Sequence, residues 1–190
     1  MADTFLNSVD TERLDKLFRE TNTNVQYFNT VCNSLVEEYS SSLDNLMKDL
    51  YTECIRDGNA PTATLERYYL ELSNMMYFMG EKLEKLGIYA DMSESAAKEV
   101  YSKAYLNNQV KDIDKKNKTT VSELQAIANT ASKYENVVGD IYSRAYKIVK
   151  YKVESGKDMM NTLRKIISHR MAEMDLNKFT PNSGFTDQGV

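Results

Sequence analysis

Residues that interrupt helices are scarce along this chain, and that scarcity limits the folds it can adopt. Its 190 residues include seven glycines and two prolines, and both Pro61 and Pro181 fall at predicted element boundaries. Apolar side chains recur at spacings of three and four through most of the sequence, which is typical of amphipathic helices. The predicted fold is therefore all-α: an elongated bundle of about four helices with a long, coiled-coil-like C-terminal helix.

The first two helices are predicted from these spacings and from the residues that flank them. The first spans residues 10–57, and Gly58 is placed to form its C-terminal cap. Pro61 can then open the second helix, because proline is tolerated in the first turn. That second helix runs over residues 62–86 and is expected to stop at Gly87.

Two further helices are predicted from capping residues. Ser93 caps the third helix, whose C-terminal end is polar and stops before the fourth helix begins. Thr119 or Thr120 caps the fourth helix, and Glu123 completes a capping-box pattern. The fourth helix is predicted to continue without a break to about Leu176, which would make it about 57 residues and roughly 85 Å long.

One all-helical domain is predicted for residues 1–176, followed by a flexible polar tail at 177–190. No apolar run approaches the roughly 20 residues needed to cross a bilayer, so no membrane partner is expected. The N-terminus has acidic residues early and no cationic start before an apolar stretch, which argues against a secretion signal. We therefore expect a cytoplasmic protein.

The sequence contains no catalytic motif. Cys32 and Cys54 would lie roughly 33 Å apart on one helix, and neither has a metal-ligand spacing. His169 is the only histidine. Glu37 and Glu38 are adjacent, so they point in different directions on a helix. The sequence favours reduced, partly buried thiols and a protein that is not an enzyme, with no metal and no cofactor.

The first half of the predicted fourth helix has a heptad register. Its apolar residues alternate by three and four over four repeats, which indicates a coiled-coil-like seam. Antiparallel packing inside one chain would produce the same pattern as contact between chains, and both alternatives stay open. The residues predicted for an oligomer seam are Leu124, Ile127, Tyr134, Val138, Ile141 and Ile148.

Basic residues are concentrated in the same helix, although the net charge of the chain is −4. Within residues 142–171, eight lysines and arginines stand against Glu154 and Asp158. Such a face can follow a phosphate backbone, but a solvated face or a helix docked on acidic side chains has the same composition. The candidate nucleic-acid-binding residues are Arg144, Lys147, Lys150, Lys152, Lys157, Arg164, Lys165 and Arg170.

Two of these cations do not follow the helical wheel. Lys152 and Arg170 project into the apolar sector, where an unpaired charge is costly. Each must therefore meet a carboxylate from another helix, extend outward to water, or lie where the seam opens onto a groove.

The C-terminal third, residues 124–179, reads LQAIANTASKYENVVGDIYSRAYKIVKYKVESGKDMMNTLRKIISHRMAEMDLNKF. It contains an L..I...I..R element and a final aromatic residue, formed by Leu163, Ile166 or Ile167, Arg170 and Phe179. In these features it resembles the end of tailed-phage recombination mediators of the UvsY type. For a phage-encoded chain, the expected cytoplasmic location is the host cytoplasm. The resemblance implies strand or subunit contacts by Arg170, Arg164, Lys165 and His169.

The same resemblance implies a function. It is that of a ring-forming, non-catalytic homo-oligomer that binds single-stranded DNA and helps a recombinase replace the single-strand-binding protein. The alternative from the residues themselves is a phage virion or assembly protein, in which the seam and the segregated charge serve only to build a helical oligomer.

Overall fold

The computed structural model describes residues 11–56, 58–111 and 119–179, and helices account for 95% of these residues. No strand occurs in these three stretches, so the predicted all-α class is confirmed. The elements in chain order are α1 (Thr11–Leu50), a π-helical segment (Tyr51–Ile55), α2 (Thr62–Lys111), α3 (Val121–Ala131) and α4 (Lys133–Phe179).

The first helix and its end agree with the prediction. Together α1 and the π-helical segment fill nearly all of the predicted range. Gly58 has a φ of +69°, the left-handed conformation that favours glycine after a helix. Pro61 then opens α2, because its carbonyl accepts hydrogen bonds from the N–H groups of Thr64 and Leu65.

The predicted stop at Gly87 and the predicted cap at Ser93 are both wrong, because α2 continues through them to Lys111. Gly87 serves packing: a β-carbon there would lie 3.3 Å from Cε2 of Tyr146. Leu86 and Ala90 on either side are buried. A glycine inside a helix costs only about 1 kcal/mol relative to alanine, and this burial outweighs it.

The predicted fourth helix begins as expected but is interrupted. The capping box is present: the Thr120 N–H donates to Oε2 of Glu123 at 2.8 Å, and the Glu123 N–H donates back to Oγ1 of Thr120. At Ser132 the backbone leaves the helical conformation, with φ −92° and ψ 5°. The buried Ser132 hydroxyl donates to the Ala128 carbonyl at 3.1 Å.

Contacts group the chain into two compact units. The first unit comprises Met1–Ser40 and Glu81–Lys150, and the second comprises Ser41–Gly80 and Tyr151–Val190. Among the described residues, buried side chains of the first unit include Cys32, Val36, Leu86, Leu124, Ala145 and Val149. Those of the second unit include Leu43, Leu50, Leu72, Met79, Val153 and Leu163.

The buried residues of α3 and α4 coincide only in part with the predicted seam. The buried positions of α3 are Leu124 and Ala128, followed by Ser132 at the same spacing of four. Of the predicted seam, Leu124 and Ile141 are buried, Val138 and Ile148 are half-buried, and Ile127 and Tyr134 are exposed. An oligomer seam through the exposed positions stays a prediction.

Both cysteines are free and buried, as the sequence indicated. Burial raises the pKa of the Cys32 and Cys54 thiols, so their reactive thiolate forms are disfavoured at neutral pH. Within the described ranges, no helix combines the length and the apolarity that a membrane crossing requires.

Candidate nucleic-acid interface

Three cations of α4 in the second unit form an exposed basic surface. Lys157, Arg164 and Lys165 are exposed, and none makes an ion pair with another residue that the structure describes. At 100° per residue they fall within an arc of about 100° on the helix surface. We call these three residues the α4 basic surface.

The order of charges along each helix explains why these cations are unpaired. On α2, glutamates precede lysines by four residues, the favourable orientation, and ion pairs form, as between Glu81 and Lys85 at 2.8 Å. On α4, no acid lies four residues before or after Lys157, Arg164 or Lys165, so none of them has such a partner. Residues 142–171 contain only two acids, Glu154 and Asp158. The charge of the basic surface is therefore left for solvent or a ligand.

The predicted cations of the first unit have a more acidic setting. Lys147 and Lys150 are exposed. Lys147 lines a surface cavity of about 280 Å³ that also includes the carboxylates of Glu84 and Asp91 from α2. Those two carboxylates oppose the approach of a phosphate, so the stronger candidate surface lies in the second unit.

Lys152 is one of the two cations that project into the apolar sector of the helical wheel, and it contacts a carboxylate from another helix. Its Nζ lies 2.5 Å from Oδ2 of Asp44 on α1, and both side chains are partly exposed. Pairing with a carboxylate from another helix was one of the three alternatives that the sequence left open for Lys152. Its charge is compensated inside the second unit.

Arg170, the other such cation, is directed at the backbone. Its Nη1 donates to the carbonyl oxygen of Ala60, which precedes Pro61 at the start of α2. Ala60 is buried, so this bond satisfies a carbonyl that water does not reach. Arg170 therefore fastens α4 to the loop that leads into α2. Its role in binding a strand stays a prediction.

The remaining two candidates are Arg144 and His169. Arg144 is exposed in the first unit, and its charge acts on the Cys32 thiol. His169 is exposed one turn after Lys165, and its Nδ1 lies 3.5 Å from Oε1 of Glu173 one turn later. Within the second unit the structure thus places Lys157, Arg164 and Lys165 on one exposed arc of α4.

A groove adjoins the basic surface and adds residues that were not predicted. It has a volume of about 410 Å³, and Arg164 lies at the point where α2 and α4 meet. Half-buried Tyr69 supplies an aromatic ring, and Leu70 and Ile167 supply apolar walls. The lining is completed by Glu66 and Ser168. A ring and a guanidinium beside each other suit a stacked nucleobase.

Sequence reasoning missed Tyr69 and Leu70 because they lie on a different helix, almost a hundred residues before Arg164. Tyr69 is one of thirteen tyrosines, so its residue type alone did not distinguish it. The one available signal was Leu70, which departs from the apolar stripe of α2 and is exposed in the structure.

Comparison of the chain with protein-family models, with curated protein sequences and with solved structures found no match. The resemblance to UvsY-type mediators therefore stays a prediction based on residues of α3 and α4.

Proposed function

We propose that this protein is a non-catalytic accessory that binds single-stranded DNA as a homo-oligomer and helps a recombinase replace a single-strand-binding protein. The observation that carries the proposal is the α4 basic surface, whose three cations are exposed and have no ion pair among the described residues. In this proposal Lys157, Arg164 and Lys165 contact phosphates.

The groove beside the α4 basic surface favours binding of a single strand over binding of a duplex. Phosphate contacts alone do not distinguish the two, because both present a charged backbone. An unpaired base, however, can stack on Tyr69 while Arg164 holds the neighbouring phosphate. The proposal therefore predicts weaker binding to a duplex of the same length.

The test is fluorescence anisotropy with a labelled oligothymidylate across a series of salt concentrations. For single strands, the logarithm of the binding constant falls with the logarithm of salt concentration with a slope of about −0.7 per phosphate neutralised. The combined variant K157Q/R164Q/K165Q is expected to reduce the steepness of that slope by about 2, the equivalent of three phosphate contacts. Absence of binding by the unaltered protein at low salt would refute the proposal.

The matched control removes the same number of charges elsewhere. Lys16, Lys48 and Lys98 are exposed cations on α1 and α2, and K16Q/K48Q/K98Q changes the net charge equally. If the control flattens the salt dependence as much as the triple variant on α4, only net charge matters. The α4 basic surface would then not be the binding site.

A structural role in a phage virion or its assembly is the second candidate. It is favoured by the large apolar side chains exposed along α2, including Leu70, Tyr77 and Met92. Measuring the mass in solution with and without an oligonucleotide separates the two candidates. A mass that increases on adding the strand supports the accessory role, and an oligomer with an unchanged mass supports the structural one.

A further inference from the structure

The part of α2 in the first unit has an exposed face that no described residue covers. Ile88, Met92, Leu106 and Val110 are at least half exposed on it, with Met92 at 65%. At 100° per residue these four positions fall within an arc of about 40°. Large apolar side chains aligned in this way along a helix are typical of a contact surface.

Four charged residues share this face and form two similar sets with the apolar ones. Glu81 and Lys85 precede Ile88 and Met92, and the same spacing recurs 18 residues later. The eight residues, which we call the α2 outer stripe, are Glu81, Lys85, Ile88, Met92, Glu99, Lys103, Leu106 and Val110. All eight are exposed.

The charges of this stripe are complementary to themselves in one orientation. Glu81 and Lys103 lie at equal distances on either side of Met92, and so do Lys85 and Glu99. If two copies of α2 cross antiparallel with Met92 on the two-fold axis, Glu81 faces Lys103 and Lys85 faces Glu99 of the other copy. Every charge then meets an opposite charge of the other copy in addition to its ion-pair partner on the same helix, which is Lys85 for Glu81 and Lys103 for Glu99.

Other pairings lack this match. A parallel, in-register pair places each glutamate against the same glutamate of the other copy, which is destabilising. An antiparallel pair centred on Glu99 would align the apolar residues, but two glutamates would meet on the axis. Attraction between opposite charges favours one register, and repulsion between like charges disfavours the others, as in natural coiled coils.

From this layout we propose that the Glu81–Lys103 part of the α2 outer stripe binds a second copy of the chain, antiparallel, with the two Met92 side chains meeting on a two-fold axis. Leu106 and Val110 lie beyond the end of this contact. The contact is isologous and therefore closed, with the same surface used by both copies. It runs from Glu81 to Lys103, roughly 33 Å of helix. The inference uses no residue of α4 and does not depend on DNA binding.

Cysteine crosslinking tests the position of the axis. Met92→Cys is expected to form a disulfide-linked dimer under mild oxidation, because residues on a two-fold axis are adjacent. Leu106→Cys is the matched control: it lies on the same face, but in the proposed dimer the two copies of residue 106 are roughly 42 Å apart. The unaltered chain controls for Cys32 and Cys54, which are buried.

The crosslinking outcomes decide between arrangements. A crosslinked dimer with Met92→Cys and none with Leu106→Cys supports the proposal. Crosslinking of both variants indicates a parallel pair and overturns it, and so does failure of Met92→Cys to crosslink.

Charge reversal tests the proposed pairing by a second route. E81K/E99K makes the four charged positions of the stripe basic, and K85E/K103E makes them acidic. Sedimentation velocity is expected to find self-association of each variant weakened by about tenfold or more relative to the unaltered protein. An equimolar mixture of the two is expected to associate at least as well as the unaltered protein.

These residues are exposed, so their substitution leaves the core unchanged, and circular dichroism verifies that the helices persist. A mixture that associates no better than the separate variants would overturn the proposed charge pairing. An unaltered chain that sediments as a monomer at about 100 µM, where even weak interfaces associate, would overturn the dimer itself.

Discussion

At the scale of single residues, Tyr68 is the clearest case of a titratable side chain changed by its surroundings. It is buried, and the guanidinium of Arg67 lies over its ring at 4.7 Å from the centroid. Burial and then a hydrogen bond with Glu53 raise the pKa of Tyr68 to about 12. In the unfolded chain a tyrosine ionises near pH 10. The folded state therefore keeps the phenol neutral over a pH range in which the unfolded chain ionises.

The predicted consequence is a loss of stability at high pH that depends on Tyr68. Because its folded pKa is raised, its contribution is complete below about pH 10 and is lost as the pH rises to about 12, a change of about 3 kcal/mol. Urea unfolding between pH 9 and 12 should find that Tyr68→Phe loses about that much less stability than the unaltered protein. Tyr77→Phe, at a residue 79% exposed, should follow the unaltered protein. Equal losses in all three proteins would contradict the assignment.

For the two cations in the apolar sector, the sequence predicted an unusual position but did not identify the contact that each makes. The helical wheel placed Lys152 and Arg170 in the apolar sector and left three alternatives for each: a carboxylate from another helix, extension to water, or a position where the seam opens onto a groove. It did not identify Asp44, since the approach of α1 to α4 depends on packing over more than a hundred residues. Nor did it suggest the Ala60 carbonyl, because every residue carries such a group and only the path of the loop selects one.

At the scale of the helices, packing decides what each glycine does. Gly80 is exposed within α2, and a β-carbon there would meet nothing within 4 Å. Gly156 is buried within α4, and a β-carbon there would lie 2.9 Å from Cε of Met76 and 3.5 Å from Cδ1 of Leu43. Gly156 therefore permits a close contact of helices in the second unit, whereas Gly80 has no such role.

Substitutions at these two glycines are predicted to have opposite effects on stability. Gly80→Ala should raise the free energy of unfolding by about 1 kcal/mol, because alanine is the better helix former. Gly156→Val should lower it by about 1–3 kcal/mol, because the new methyl groups press against Met76 and Leu43. Denaturant unfolding at neutral pH measures both. A change of the same sign in the two variants would argue against the packing assigned to Gly156.

Helix boundaries were predictable where neighbouring side chains alone supply the capping hydrogen bonds. Thr120 and Glu123 satisfy the first N–H groups of α3 with their own side chains, so their spacing was sufficient. The stop at Gly87 was mispredicted because glycine ends a helix only with a positive φ, which it does not have. Ser132 was missed because no local signal distinguishes it: the equally buried Ser40 also donates to the carbonyl four residues earlier, and α1 continues through it.

At the scale of the whole molecule, the cations of α4 divide into those that stabilise the fold and those available to a ligand. Lys152 and Arg170 have partners in the second unit, whereas Lys157, Arg164 and Lys165 have no ion pair among the described residues. All five were predicted to bind nucleic acid, although the helical wheel already separated Lys152 and Arg170, in the apolar sector, from the other three. Stability and binding should therefore respond to different members of the set.

Arg170 and Arg164 provide the sharpest comparison, because each loses one positive charge when replaced by glutamine. Arg170→Gln is predicted to lower the free energy of unfolding by about 1–3 kcal/mol, since it weakens a charged hydrogen bond to the buried Ala60 carbonyl. Arg164→Gln should change it by less than about 0.5 kcal/mol, because its side chain is exposed. Urea unfolding measures both effects.

Binding to oligothymidylate should rank the same two variants in the reverse order. Arg164→Gln is expected to weaken binding and flatten its salt dependence, because a phosphate contact is removed. Arg170→Gln should leave the affinity of the folded protein nearly unchanged, since its guanidinium is already engaged by the Ala60 carbonyl. If Arg170→Gln weakens binding while the unfolding free energy is unaltered, Arg170 contacts the strand in solution. The structural role assigned to it would then be wrong, and the binding surface would extend beyond the α4 basic surface.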